Sequence, residues 1–374
     1  MPILSKFSFL FFFLITILLG CNGNADFSKQ TSKVGLRLEL DSLVLNNHLN
    51  LQSLQEVIST GSVQFSDSAK IYFVLDDMVT IWNLSNYHYT TALYQLDNLN
   101  SSSSIIAVKN QLLYFTDSGK IWKLKDSTFT LIWDLSENDV LKKKGLKVNS
   151  TFGYTLEPKF INDSLILLQN LQDYSRNHYF NKKNPLFSIF NLKNKTVSLL
   201  KYSIRSDFFE CDRPARSQID GTVVGDTLLV SYMYSDSVDL FSIKKNKMIG
   251  RVSMRSNAQH EQIECMWNME DEFEVFRYNV ESPFYSQLLY NSYNDYYYRV
   301  YHPKQERRNG KFFTIEEDRK SCIVVFNKKL EWVGEIELDD HFVFLSPMNK
   351  GVLINCRQRI SKENITFKII KHKV

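Results

Sequence analysis

From Val34 to the C-terminus, short apolar runs alternate with clusters of Asn, Asp, Ser and Gly. The runs are short and rich in Val, Ile, Phe and Tyr, which favours strands over helices. The clearest unit spans 104–135. There Ser104-Ile-Ile-Ala-Val-Lys, Gln111-Leu-Leu-Tyr-Phe, Lys120-Ile-Trp-Lys-Leu and Phe129-Thr-Leu-Ile-Trp follow one another, punctuated by Asn110, Asp117-Ser-Gly and Asp126-Ser. Four short strands joined by tight turns predict an antiparallel meander.

Comparable units occupy 62–96, 158–200, 221–254 and 284–338. The last, 341–371, shows only three strands, whereas Leu36-Arg-Leu-Glu-Leu is a strand with no unit of its own. The N-terminal strand is therefore expected to complete the last unit and remove an open edge. The count predicts an all-β fold over 34–374: a β-propeller of six four-stranded blades, closed by that strand. Seven compact blades also fit the length. A large β-sandwich is the alternative, but four-strand meanders repeat more regularly here than Greek keys would.

The N-terminus follows a different pattern. After Lys6, residues 7–19 are apolar except for Ser8 and Thr16, and the run ends Leu18-Leu19-Gly20-Cys21. It is short for a bilayer-spanning helix and suits the apolar core of a signal peptide. The ending resembles the bacterial lipobox, with Leu19 where Ala or Ser is more usual. Residues 1–20 are then a lipoprotein signal peptide, Cys21 carries the lipid, and 21–33 form a polar tether. An uncleaved anchor, or an ordinary signal peptide beside an accidental cysteine, are the alternatives.

Composition narrows the function. Lys and Arg number 45 and Asp and Glu 41, with both signs interspersed, so no nucleic-acid partner is expected. There are 27 Phe and 19 Tyr but only 13 Gly, so Asn, Asp and Ser must make most turns. Beyond Cys21 stand Cys211, Cys265, Cys322 and Cys356, with no C-x-x-C pair. Outside the cytoplasm an even number permits two disulfides. Cys322 and Cys356 lie in strand-like runs, so buried free thiols are equally open.

Lipobox, tether and six irregular meanders together resemble the TolB-like six-bladed propeller lipoproteins of Bacteroidetes, and more narrowly a family of that group with no assigned function. The aromatic hairpin 285–302 carries most of this likeness. The resemblance implies a propeller in the cell envelope, lipid-anchored at the outer membrane, with its periplasmic and surface faces both open. It brings no catalytic residues.

The same hairpin is the first candidate site. Period-two alternation puts Tyr297, Arg299 and Tyr301 on one face and Tyr296, Tyr298 and Val300 on the other. In a functional reading Arg299 grips a carboxylate or phosphate, with Tyr298 and His302 nearby at a blade end. The structural reading is cross-strand aromatic packing, with Arg299 stacked on a ring or paired with an acid. Arg213, Arg216, Arg255 and His260 lie in loops flanking 221–254, where they either converge on an anion or remain solvated. His260-Glu-Gln-Ile-Glu264 lacks the second His of a zinc motif. No P-loop, G-x-G-x-x-G or G-x-S-x-G occurs, so neither metal nor cofactor is expected. Asp precedes Ser42, Ser68, Ser127, Ser164, Thr227 and Ser237, a pattern that reads as turn starts or as O-glycosylation acceptors. The leading expectation is an anchored binding or scaffold module for an envelope protein, peptide or glycan. The alternative is a propeller hydrolase or lyase with a site at the central channel.

Overall fold

Asn and Asp at hairpin corners, with strand formers between them, build the molecule from antiparallel hairpins. A computed structural model describes residues 37–46, 64–66, 70–75, 78–83, 91–95, 104–108, 111–115, 119–125, 128–149, 159–172, 185–205, 219–259, 263, 278, 281–305, 320–338, 342–348, 351–356 and 364–373. All described elements and core clusters lie within one compact unit, Leu36–Val374.

The strands assort into six sheets in chain order. β2 (Gln64–Ser66) to β5 (Thr91–Gln95) form one, with β3 (Lys70–Leu75) and β4 (Met78–Asn83) between. β6 (Ser104–Val108), β7 (Gln111–Phe115), β8 (Lys120–Lys125) and β9 (Thr128–Asp134) form the next. A short helix, α1 (Asp139–Lys144), leads into a five-stranded sheet. In it β10 (Leu146–Asn149) and β11 (Lys159–Phe160) share the inner edge of β12 (Leu165–Gln172), followed by β13 (Phe187–Asn191) and β14 (Thr196–Leu199). The next sheet holds β15 (Ile219–Val224), β16 (Thr227–Tyr232), β17 (Ser237–Ser242) and β18 (Lys247–Ser253). After it come β19 (Phe284–Asn291), β20 (Tyr296–His302), β21 (Ser321–Phe326) and β22 (Trp332–Leu338).

The last sheet has the order β1-β25-β24-β23, built from β23 (Phe342–Met348), β24 (Gly351–Cys356), β25 (Asn364–Lys373) and β1 (Arg37–Asn46). β1 pairs with β25 along its whole length, from Arg37 opposite Lys373 to Asn46 opposite Asn364. The N-terminal strand thus completes the C-terminal sheet.

First strands lie side by side from sheet to sheet: β2 beside β6 and β23, β19 beside β23 and β15, and β15 beside β11. The core lies between the sheets. Ile121 and Leu135 meet Ile166, Leu168 and Phe190; Phe187 and Tyr202 meet Leu228, Val230 and Tyr232. Leu229, Val238 and Met254 meet Tyr285, Cys322, Val324 and Phe326, and Val300, Ile323 and Val325 meet Leu345, Val352, Ile354 and Ile370. A strand such as β21 is buried at every residue because both its faces are covered. A two-layer sandwich leaves one face of each sheet to solvent. This is instead a propeller-like arrangement of four-stranded sheets. Each fully buried aliphatic or aromatic side chain adds about 1.5–3 kcal/mol.

Within each of the last four sheets the two ends differ. At the turn end lie the tight corners, closed by left-handed Gly225, Lys195, Asn246, Asp295 and Leu330. At the loop end lie the longer connections. Adjacent sheets share this polarity: the Tyr285 N–H donates to Met233 O at the loop end, and the Asn291 amide donates to Met348 O and Gly351 O at the turn end.

Candidate functional site

Arg299 stands on β20 with none of its surface exposed. Its Nε donates to Ser231 Oγ at 3.1 Å. Nη1 donates to the carbonyls of Asp236 (2.8 Å) and Met254 (2.9 Å), and Nη2 to those of Ser235 (2.6 Å) and Tyr232 (3.5 Å). Each of the five guanidinium N–H groups therefore has an acceptor. Burial lowers its pKa to about 10, which leaves it charged at neutral pH. Its donors are spent on the β16–β17 turn and the backbone after β18. Arg299 is stacked on a ring and bonded to backbone carbonyls where the structural reading had an acid.

The ring it stacks on is Tyr285, 3.7 Å from the guanidinium carbon. The Tyr285 hydroxyl donates to Gln259 Oε1 at 2.5 Å and accepts from the Ser256 N–H at 2.9 Å. Burial pushes its pKa up to about 12. Glu335 Oε2 on β22 accepts from Ser256 Oγ and from the Asn257 N–H. Residues 254–259 are thus fastened from three sides. Arg255 is exposed and closes its own loop through Nη2 on Gln259 O.

His302 faces the other way, towards the last sheet. It is 2 % exposed, stacks on Phe284 at 4.3 Å, and sits between two hydroxyls. Nε2 meets Ser286 Oγ at 3.1 Å and Nδ1 meets Ser321 Oγ at 3.2 Å. Ser286 is half-buried on the first strand of its sheet.

Tyr298 belongs elsewhere. Its hydroxyl accepts from Asn294 Nδ2 at 2.9 Å and meets His372 Nε2 on β25, at the turn end. Burial raises the Tyr298 pKa and lowers that of His372. The structure therefore brings Arg255, Arg299 and His302 to the loop end but sends Tyr298 to the opposite one. Cys21, Arg213, Arg216 and His260 lie outside the described residues.

A second polar group was not anticipated from the sequence. The Tyr202 hydroxyl donates to Asp239 Oδ2 at 2.8 Å and lies 2.8 Å from the Tyr232 hydroxyl. Asp239 is 1 % exposed and takes Arg251 Nε on Oδ1 at 2.6 Å. Arg205 lies over the Tyr232 ring at 5.4 Å and donates to Ser235 Oγ. The available signal was Asp239 itself, an acid inside the apolar run Val238-Asp-Leu-Phe.

Cys322 is a buried free thiol, its pKa pushed up to about 12 by burial. It forms no disulfide; Cys211, Cys265 and the Cys356 side chain lie outside the described residues. Ser164 and Ser237 take the turn reading: Ser164 bonds Asn162 Oδ1 through both N–H and Oγ, and Ser237 Oγ donates to Asp236 Oδ1. Thr227 opens β16 immediately after a turn, whereas Ser42 lies inside β1. Ser68 and Ser127 fall outside the described residues or side chains. Among the described residues no group of three His, Cys, Asp or Glu side chains is placed to hold a metal, and no helix is long and apolar enough to cross a membrane.

No protein-family model and no curated protein matches the sequence. Solved structures do. A member of the DUF4221 family from Bacteroides vulgatus is similar over 91 % of this chain and 99 % of its own, with 15 % identity and a TM-score of 0.65. A luciferin-regenerating enzyme is similar over 89 % of this chain and 98 % of its own, with 9 % identity and a TM-score of 0.46. The WD40 repeats of RRP9 cover 83 % of this chain and 79 % of their own, with 10 % identity and a TM-score of 0.44. The first of these likenesses shows the fold.

Proposed function

We propose that this chain is a membrane-anchored envelope module that holds a protein, peptide or glycan on the loop end of a six-bladed propeller. In this reading the six sheets are six blades, β1 closes the ring, and Cys21 carries the lipid. The observation that carries it is the buried guanidinium of Arg299. A fully desolvated cation is spent on fixing irregular backbone at 232–236 and 254–259. Fixed loops lose little freedom on binding, which is the way a recognition surface gains affinity. Arg205, Arg255 and Asn257 lie on or beside that backbone and are half-buried or exposed.

The anchor is tested by the mass of the N-terminal peptide, expected to carry a diacylglycerol on Cys21 and to lose it in Cys21→Ser. The surface is tested with a photo-crosslinker at Asn257 and another at Lys245, on opposite ends. A specific envelope partner trapped from Asn257 alone supports the reading; equal capture from both positions removes it.

A second reading, a propeller hydrolase, has one observation in its favour. Ser286, His302 and Ser321 form a line in which a half-buried hydroxyl meets a histidine held by a second hydroxyl. In that chemistry the Ser286 oxygen attacks an acyl or phosphoryl centre as its proton passes to His302 Nε2, and the bond to the leaving group breaks as His302 returns that proton to it. Labelling of Ser286 by a fluorophosphonate, abolished in His302→Gln, supports it; an unlabelled Ser286 retires it.

A further inference from the structure

Three consecutive sheets repeat one corner between their third and fourth strands. It reads Asn191-Leu-Lys-Asn-Lys195 between β13 and β14, Ser242-Ile-Lys-Lys-Asn246 between β17 and β18, and Asn327-Lys-Lys-Leu330 between β21 and β22. In each, the first side chain accepts from backbone N–H groups inside the turn. Asn191 Oδ1 takes Lys193 and Asn194, Ser242 Oγ takes Lys245, and Asn327 Oδ1 takes Lys329. In each, the last residue is left-handed: Lys195, Asn246 and Leu330. The first two corners run five residues from cap to left-handed close and the third runs four, and each holds two exposed lysines: Lys193 and Lys195, Lys244 and Lys245, Lys328 and Lys329.

The acids near these corners are exposed, and each accepts a hydrogen bond from a group beside it. Asp226 gives Oδ2 to Ser242 Oγ and Oδ1 to the Lys244 N–H, which hold its pKa below the usual carboxylate range together with the nearby lysine charges. Asp295 Oδ1 takes the Tyr290 hydroxyl, and Glu331 Oε2 takes the Asn327 amide. None of the six lysine ammonium groups has a hydrogen-bond or ion-pair partner among the described residues.

These corners lie at the turn end. So does the start of β1, because Arg37 pairs with Lys373 and the next residue pair, Leu38 with His372, lies beside Tyr298 and Tyr296 at the same end of β20. From Cys21 to Arg37 the chain is sixteen residues, about 55 Å at full extension. A chain anchored at Cys21 therefore enters its folded unit on the end that carries the lysine corners.

We propose that the turn end is a lipid-facing surface, its six corner lysines resting on anionic headgroups and the loop end directed away from the membrane. The orientation rests on the anchored reading above; the affinity of the surface for anionic lipid does not. Exposed lysines near an anionic bilayer add their attractions, which salt screens within a Debye length.

The test uses the mature chain from Asn22, which keeps the whole folded unit and lacks the lipid, in co-sedimentation with vesicles. At low salt, binding to phosphatidylcholine vesicles containing phosphatidylglycerol is expected to exceed binding to pure phosphatidylcholine by about tenfold or more, and to vanish in high salt. Changing all six corner lysines to Gln removes the excess without moving the melting temperature. Lys142, Lys143 and Lys144, exposed at the end of α1 and in the connection between two sheets, serve as the control for net charge against a matched three-lysine change of Lys193, Lys244 and Lys328 to Gln. Replacement of the α1 lysines by Gln leaves binding in place. Equal binding to both vesicle types, or equal losses from the two matched lysine sets, overturns the proposal. Because this chain carries no lipid, a failed anchor at Cys21 is seen separately, in the mass of the N-terminal peptide.

Discussion

The guanidinium of Arg299 lies over the Tyr285 ring, its central carbon 3.7 Å from the centroid, and the two side chains pin the same stretch of chain. Arg299 holds Met254 O, and the Tyr285 hydroxyl holds Ser256 N and Gln259 Oε1. One is on β20, the other on β19, so the sheet that follows this stretch in sequence fixes it in space.

Replacing Arg299 with Met strands four carbonyls and a serine hydroxyl in a dry interior. The expected loss is about 3–5 kcal/mol, read as the shift in urea midpoint at constant m-value. Arg299→Lys keeps the charge but offers three donors for five acceptors, so it recovers only part of the loss. Equal stability of Arg299→Met and the parent would contradict the buried role.

The burial of His372 makes stability depend on pH. Burial lowers the folded-state pKa of His372 below its ordinary value near 6.5. The unfolded chain then binds the proton more readily than the folded one. This contribution is fully present above about pH 6.5 and is lost as pH falls towards the lowered folded value. The melting temperature should drop between pH 7 and pH 5, and the drop should be smaller in His372→Gln.

Cys322 is expected to be silent in the native chain. With its pKa pushed up to about 12 and its side chain buried, almost no thiolate is present at pH 8. Peptide mapping after iodoacetamide should find Cys322 unmodified in the native protein and modified after denaturation in urea. Rapid native labelling would show that the seam between β16–β17 and β21 opens.

Gly351→Ala should be among the most damaging small substitutions. Gly351 has φ of +143°, and an added Cβ would meet Ile370 O at 1.9 Å. The three nearest atoms are all backbone of β25, so no soft side chain can yield. A cost of about 3 kcal/mol or more is expected, with weakened β24–β25 pairing seen as faster amide exchange at Ile370.

Much of this was legible along the chain. The period-two reading of 296–301 is the arrangement found: Tyr297 and Tyr301 pack towards β16 and β17, Tyr298 and Val300 towards β24 and β25. The orphan strand near Leu36 and the short last unit were assigned to each other, and β1 pairs with β25. The site was less legible. Tyr298, Arg299 and His302 lie within five residues, which placed them together at one blade end, yet they serve two different seams and two different ends.

The amino-acid sequence alone determined the strands, their corners and which side chains share a face. Those depend on the pleat and on turn chemistry within a few residues. Only the tertiary structure decided what each face meets. The acceptors of Arg299 lie 45 to 68 residues away in the chain, and His372, which meets the Tyr298 hydroxyl, lies 74 away. Two covered sheet faces look alike in a string of apolar residues. Hydrogen-bond partners are set by which sheet is laid against which, and that is a property of the assembled arrangement.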